Sequence, residues 1–439
     1  MSTRHDVPAG GARVASTEDG FARVPPLNAN HNVRLLWAGE GVSVLGAMTT
    51  SVVLPLVAIT GFGAGPGWMG AIAAATWLPW LLLGLVVGAV VDRTDPRRVM
   101  IAADLAAAAA ITTVPLAWWF GLLSLVQLAA VAFATGACSV FFRTAYTALI
   151  PRVARPEDLP SVNARLVGTE AAMQVAGPGL GGLLVQLLTA AYAVVADALS
   201  FLVSAFCLWR MDTRAIRPGP EPAGRPEPLL TSIREGVRVV AADPYLRFFS
   251  LQGGASNFAL TGYGALLVLF LVRHLRLDPG SVGLVLGLGS VGGLLGSMVA
   301  TRVSRRLGTA RGMVALQVLG GPPALLIAAA QPGRSAILVT IGIALVGVGV
   351  VGANVIRGAF RQRYTPPELM GRTTATSAVL NFGTMPLAGV AAGWLGTHLG
   401  VRETIALMAA LHAIACLAAV LGPYGRGMRD LPTSVMPVR

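Results

Sequence analysis

Charge is scarce in this chain, and the charges that fall inside apolar sequence are the first candidates for chemistry. Of 439 residues 54% are hydrophobic and only 12% are charged. Glu40, Asp104, Arg143, Glu170 and Asp197 all lie within long apolar runs. An ionisable group surrounded by hydrocarbon is costly, so it persists where it holds a proton, an ion, a substrate or a partner charge. Glu40 sits about two turns into the first run. Facing a cavity, it can carry a proton or hold a cationic substrate. Bonded to Ser43 or to another helix, it is structural. Asp104 lies about one and a half turns into the third run, at a depth matching Arg143 near the end of the fourth. Antiparallel neighbours at matched depth can pair, either as a gate or as a static tie. Spacing identifies no partner for Glu170, and Asp197 reads mainly as structural.

Other chemistries find no support. His274, His398 and His412 stand alone, and no histidine joins a catalytic arrangement. Cys138, Cys207 and Cys416 each lie singly in an apolar run, without metal-ligand spacing, and read as small packing residues. There is no phosphate-cradling glycine loop ending in Lys-Ser or Lys-Thr, and no lysine anywhere. The expectation is therefore no enzyme, no catalytic residue, no metal and no cofactor. Work done without a nucleotide engine must draw on an ion gradient.

These side chains need rods to hold them. Apolar segments of membrane length fall near 33–60, 67–91, 98–120, 122–149, 164–188 and 190–209. After a polar interval they resume near 244–273, 280–301, 311–330, 335–357, 371–396 and 403–422. The net charge of +13 would suggest nucleic acid in a soluble chain. Here all 33 basic residues are arginine, and 29 of them fall in the two tails and the even-numbered loops. That bias places both termini in the cytoplasm of a multi-pass protein of the cell (plasma, or inner) membrane, with no role for nucleic acid. The tail 1–31 lacks an apolar core and reads as disordered, with no removable signal peptide, so that the first helix serves as its own signal.

In the linker 211–243, Pro218, Pro220, Pro222, Pro226 and Pro228 keep the first half extended. Leu230, Ile233, Val237 and Val240 then recur on one face, with Arg234, Glu235 and Arg238 off it. A helix lying at the membrane surface accounts for this pattern, as does a solvated connector. The two halves echo each other. Asn32-Val-Arg34 recurs as Tyr245-Leu-Arg247, Arg97-Arg98 as Arg305-Arg306, and Pro156-Glu-Asp-Leu159 as Pro367-Glu-Leu-Met370, at offsets of 213, 208 and 211 residues. Ala300 stands where Asp92 stood. A duplicated six-helix unit explains all three, with 32–210 and 244–422 as the two bundles and 423–439 as a tail. Parallel repeats of this kind, with a cavity at the midplane between them, are a transporter architecture.

Two stretches carry a family resemblance. Gly88-Ala-Val-Val-Asp92-Arg93-Thr-Asp95-Pro96-Arg97-Arg98 is a tight turn between two apolar runs, and on its own could be a plain stop-transfer turn. It resembles the turn between helices 2 and 3 of the major facilitator superfamily, Gly-x-x-x-Asp-Arg-x-Gly-Arg-Arg, with Gly88, Asp92, Arg93 and Arg97 matching. Asp95 replaces a glycine and Pro96 a basic residue. Asp92 can cap a helix start or neutralise a basic partner. Gly177-Pro178-Gly179-Leu180-Gly181-Gly182 resembles the core of the motif associated with antiporting exporters, although Ala164 and Met173 replace its upstream glycines. Glycines there let a neighbour approach the backbone, and Pro178 removes one helical bond. A simple tight crossing would use the same residues.

The resemblance spans about 32–422. Arg34-Leu-Leu-Trp-Ala-Gly-Glu-Gly-Val-Ser43-Val-Leu-Gly46, Ala196-Asp197-Ala-Leu-Ser200-Phe201 and Pro366-Pro367-Glu-Leu-Met-Gly371-Arg372 look like the drug and siderophore exporter branch, which includes macrolide-efflux and enterobactin-exporter-like proteins. The fold implied is all-α, with twelve transmembrane helices in two pseudo-symmetric bundles. The activity implied is proton-coupled antiport that exports an amphipathic small molecule by alternating access, by a monomer in the lipid bilayer. Binding is implied at the midplane, lined by helices 1, 4, 5, 7, 8, 10 and 11. Gly88, Asp92, Arg93, Arg97, Asp104 and Arg143 are the expected gate residues, Gly177, Pro178, Gly181 and Gly182 the antiporter element, and Glu40 the proton or substrate site. Proton symport of a nutrient on the same fold, and a sensor or scaffold that no longer transports, are the alternatives.

Overall fold

Inside hydrocarbon every backbone amide must find its partner within its own segment, so apolar runs of this length have to become helices. The computed structural model describes residues 24–188, 190–217, 229–333, 335–425 and 427–432. In the first half the rods are α1 (His31–Leu56), α2 (Pro66–Val91), α3 (Pro96–Trp119), α4 (Leu125–Val153), α5 (Leu159–Leu187) and α6 (Ala190–Ala193 running into Val195–Trp209). In the second half they are α7 (Pro244–Leu269), α8 (Pro279–Leu307), α9 (Thr309–Gly320, resuming at Leu325–Ala329), α10 (Ala336–Tyr364), α11 (Pro367–Phe382 and Thr384–His398) and α12 (Val401–Leu421). Eleven of the described helices are long and apolar enough to cross a membrane. The twelfth rod is α5, as long as α4 at 29 residues but too polar by composition. It carries Asn163, Arg165, Glu170 and Gln174.

Helix starts follow local chemistry. Asn30, Asp95, Ser124, Asp243 and Asp278 each accept a backbone N–H of the turn they precede. Pro66, Pro96, Pro244, Pro279 and Pro367 stand at first-turn positions, where a missing N–H costs nothing. For Asp278, the Ser281 hydroxyl and then its backbone N–H hold the carboxyl below the usual range.

The duplication is visible in the packing. Helix α1 lies against α5 and α6, α2 against α4, and α3 against α4 and α6. In the second half α7 lies against α11 and α12, α8 against α10, and α9 against α10 and α12. Finer features repeat too. Asn30 caps α1 while its Nδ2 donates to Val153 O at the end of α4, 2.8 Å away. Asp243 caps α7 while its Oδ2 accepts from the Tyr364 hydroxyl at the end of α10, at 2.7 Å. The helices α1 and α7 both close with a π-helical turn, Val57–Gly61 and Phe270–His274, again 213 residues apart.

Several boundaries differ from expectation. The chain from Val24 to Asn30, expected to be disordered, is packed: Val24 is fully buried and its carbonyl accepts from Arg155 Nε at 2.7 Å. After α12 the described residues fold back on α9. Asp430 Oδ1 accepts from Thr309 N at 2.8 Å, supplying the cap that Gly308 cannot. Helix α10 runs on to Tyr364, so Arg357 and Arg361, expected at a loop, are helical. Long arginine stems explain the extension, because they carry charge to water from a backbone still within the rod. Residues 229–242 do form a helix, with Val240 buried and Val237 exposed. The tail 1–23, the prolines from 218 to 228, the end 433–439, and the side chains of Leu230, Ile233, Arg234 and Glu235 lie outside the described residues.

Candidate transport pathway and its seams

The two halves touch along two seams that are copies of each other. At one, α2 meets α11; at the other, α8 meets α5. A Cβ built on Gly70 of α2 would strike the Gly389 carbonyl and lie 2.6 Å from Gly393 Cα. A Cβ on Gly283 of α8 would strike the Pro178 carbonyl and lie 2.9 Å from Gly182 Cα. The correspondence holds residue by residue. Gly283 follows Gly70 by 213 positions, while Gly389 and Gly393 follow Pro178 and Gly182 by 211. Only glycine permits backbones this close. Gly182 thus faces the other half, whereas Gly177 and Gly181 face α1, where a Cβ would run into Met48 and lie 2.8 Å from Thr49 O. Pro178 sits within an unbroken α5 and presents its carbonyl to Gly283.

Both seams lie at the ends of the rods opposite the arginine-rich turns. On that same face Arg273 Nη2 donates to Gly63 O across the halves, at 2.7 Å. Deeper in, Phe382 of α11 stacks with both Trp77 and Trp80 of α2, with ring centroids 6.2 and 5.1 Å apart. Among the described residues, no hydrogen bond or ion pair joins the halves at the arginine-rich end. This conformation is closed on the arginine-poor face.

The turn at that far end departs from expectation in detail. Asp92 is exposed and caps nothing; Asp95 is the cap of α3, accepting from Arg97 N at 3.0 Å with Pro96 next to it. The two departures from the family pattern therefore build a sound Asp-Pro helix start. Arg97 reaches back to the last turn of α6, with Nε donating to Leu208 O and Nη2 to Trp209 O, both at 2.7 Å. It satisfies carbonyls that end a helix and carry its negative pole. Arg93 is exposed, and a Cβ on Gly88 would meet nothing within 4 Å.

Within the first half the polar side chains converge, though not as spacing suggested. Arg143 pairs with Glu170, not with Asp104: Nη2 lies 2.6 Å from Glu170 Oε1. Helix α4 turns Arg143 away from α3, and the two long side chains bridge helices whose backbones share little contact. Matched depth was the right test applied to the wrong neighbour. Arg143 is ten residues before the end of α4 and Glu170 eleven after the start of α5, across one short turn. Asp104, only 2% exposed, lies beside Ser204 of α6, and its Oδ2 has no hydrogen-bond partner among the described residues. Glu40, 7% exposed, lies within the electrostatic reach of Arg143 and Glu170. Its Oε2 is buried with no hydrogen-bond partner among the described residues, neither Ser43 nor a group on another helix. Asp197 behaves structurally: its Oδ1 accepts from Ser200 Oγ at 3.1 Å, against a bare Gly46 that lets α1 press on α6.

The second half holds a polar cluster that sequence reasoning missed. Arg357 donates from Nη2 to Gln252 Oε1 at 3.2 Å and lies over the Phe249 ring. Asn257 donates to Asn381 Oδ1 at 3.3 Å, and the buried His412 meets Ser256 Oγ at 3.1 Å. Counting Arg357 as a loop residue hid the first of these. The glycines Gly70, Gly283, Gly389 and Gly393 were also missed, although the same repeat offsets would have found them.

Comparison with known proteins agrees with this architecture. The multidrug efflux pump Tap of Mycobacterium bovis (strain BCG / Pasteur 1173P2) is 27% identical over 385 residues, covering 85% of this chain and 87% of that protein. Macrolide efflux protein A of Streptococcus pyogenes is 22% identical over 396 residues, covering 88% and 94%. Among solved structures, the nucleoside transporter NupG superposes with a TM-score of 0.69 at 10% identity, covering 89% of this chain and 98% of that one. A bacterial homologue of the iron transporter ferroportin, in an inward-facing state, gives 0.72 at 18% identity, covering 90% and 98%. The sequence profile of the Major Facilitator Superfamily matches residues 36–375 and 249–433. With that profile over nearly the whole chain, and twelve rods in two pseudo-symmetric bundles, the protein is a multi-pass membrane transporter belonging to the Major Facilitator Superfamily.

Proposed function

We propose that this transporter exports an amphipathic small molecule in exchange for protons, by alternating access. The observation that carries the reading is Glu40. A buried carboxyl whose Oε2 has no partner among the described residues, beside the half-exposed Arg143–Glu170 pair, has room to gain and lose a proton. Loading it changes the charge of the cluster by one unit, and a change of that size inside hydrocarbon can bias two conformations. The two glycine seams supply the moving contact, since they hold the arginine-poor face shut and must part for release on that side. The names of the efflux relatives support export over import.

In this reading the arginine-rich face is cytoplasmic, both termini lie inside, and the protein works as a monomer in the plasma membrane. Residues 32–210 and 244–422 are the two moving bodies, joined by the 211–243 linker. Gly88, Asp92 and Arg93 form the contact that closes the inner face in the opposite state. Arg97 anchors their turn to α6, and Asp104 and Arg143 transmit the change within the bundle. The test is expression in a drug-sensitive host stripped of its own pumps. Intracellular levels of hydrophobic compounds should fall in expressing cells, and a protonophore should abolish the fall. Equal accumulation with and without the protein, across the panel, rejects the reading.

A further inference from the structure

Arg143 and Arg357 stand on the corresponding helices of the two halves, but only one has a counter-charge. Arg143 has Glu170 at 2.6 Å, whereas no carboxylate among the described residues lies within ion-pair distance of Arg357. The repeat shows where the acids went. The position 211 residues beyond Glu170 is Asn381, and the position 213 beyond Glu40 is Gly253. The bare face of Gly253 is filled by the groups that lack a charge partner: a Cβ there would strike Asn381 Oδ1 and lie 3.3 Å from Arg357 Nη1. The space that holds a carboxylate in the first half thus holds a guanidinium edge and an amide in the second.

This arrangement is fixed rather than loose. Gln252 Nε2 donates to Ala415 O at 3.0 Å, which turns its Oε1 toward Arg357. Asn381 Nδ2 donates to Ser377 O at 2.6 Å, which turns its Oδ1 toward Gly253. The Phe249 ring lies under the guanidinium at 5.5 Å. Guanidinium has five donors, and Gln252 takes one; Nε is buried with no acceptor among the described residues. A cation held in a membrane bundle by one neutral amide and a ring leaves most of its desolvation uncompensated. A planar fork of free donors beside an apolar ring matches a planar anion carried on a hydrophobic body.

We infer that Arg357, set by Gln252 and backed by Phe249, is a subsite for the anionic end of the substrate, a carboxylate. The assignment rests on the export reading only in taking the substrate to be a small amphipathic molecule. In this site the substrate supplies the counter-charge that Glu170 supplies to Arg143.

Binding tests it without transport. The full-length protein in detergent is titrated with 1-pyrenebutyrate and with its methyl ester, by fluorescence anisotropy. The wild type should bind the acid about tenfold more tightly than the ester, or ~1.4 kcal/mol. Arg357→Gln should erase the preference by weakening the acid alone, and Arg357→Lys should keep part of it. Arg361→Gln, one turn along the same helix, should leave it intact. Thermal unfolding guards against misfolding and separates the roles. Loss of an unpaired cation should leave the midpoint unchanged or raise it, whereas loss of a structural arginine would lower it. A wild type with no preference for the acid, whether it binds both compounds or neither, overturns the assignment. So does a preference that survives Arg357→Gln. If the preference behaves as expected while efflux in cells resists the protonophore, the subsite stands and proton-driven export falls.

Discussion

At the scale of single residues, three of the acids in the first bundle have different surroundings. Glu170 is paired, Asp104 is buried against α6, and Glu40 is buried with one oxygen unmatched. Replacing Glu40 by glutamine keeps the shape and removes the titration. Substrate affinity in Glu40→Gln should therefore stay within about threefold of wild type, about 0.6 kcal/mol. Substrate-driven proton movement in proteoliposomes should vanish; wild-type coupling in this variant returns Glu40 to a packing role. The Arg143–Glu170 pair makes a separate claim. Its side chains are 42% and 26% exposed, so removing one partner should cost about 1–3 kcal/mol, less than for a fully buried pair. Because both single variants break the same bond, the double variant Arg143→Gln with Glu170→Gln should be clearly less destabilised than the sum of the two, in thermal unfolding. Strict additivity would mean that the 2.6 Å contact carries no coupling.

At the scale of elements, proline and glycine decide how rods start and how they meet. Asp95 with Pro96, Asp243 with Pro244 and Asp278 with Pro279 each open a helix in the structure, by a signal that sequence reasoning missed. Sequence reasoning offered Asp92 as a helix cap, and the backbone gives the cap of α3 to Asp95, three residues on. Asp278 offers a test outside the membrane. Its carboxyl is held below the usual range, so its contribution is full at neutral pH and is lost only as pH falls through that lowered value. Asp278→Ala should cost about 1 kcal/mol at pH 7, the usual worth of a cap, and the difference from wild type should shrink in strong acid. A difference independent of pH would deny the charge a part. The 88–98 turn is a proposal about the opposite conformation, since Asp92 is exposed in this one. Asp92→Asn should slow efflux while leaving the amount of inserted protein unchanged, by quantitative blotting of membranes; full activity would remove the turn from the gate.

At the scale of the whole molecule, the duplication was legible in three weak echoes, and it organises far more than those residues. Apolar length found the rods because hydrocarbon leaves the backbone no other choice. The partners inside the bundle were less legible, because twelve antiparallel rods offer each polar side chain several neighbours at equal depth. Arg143 could face α3, α5 or α1, and only packing chooses. The seams lie between these cases. Their glycines look ordinary singly, and become legible when Gly70 is set beside Gly283 and Gly182 beside Gly393. A pseudo-twofold pair of contacts makes a quantitative demand: equal insults at equivalent places should have similar effects. Valine at either Gly70 or Gly283 would drive methyl groups into the opposing backbone, where a Cβ already meets a carbonyl oxygen. Overpacking of this kind costs about 1–3 kcal/mol, and ~1.4 kcal/mol shifts a two-state balance tenfold. Trp77, stacked on Phe382 between the halves, reports the balance. In a background with Cys138, Cys207 and Cys416 replaced, Trp77→Cys should react slowly with an impermeant maleimide added to the arginine-poor face. Gly70→Val and Gly283→Val should each raise that rate about tenfold, by similar factors. A rise with one valine but not the other would show that the two seams do not share the closing energy, and that the halves part by bending at a single contact rather than by rocking about both.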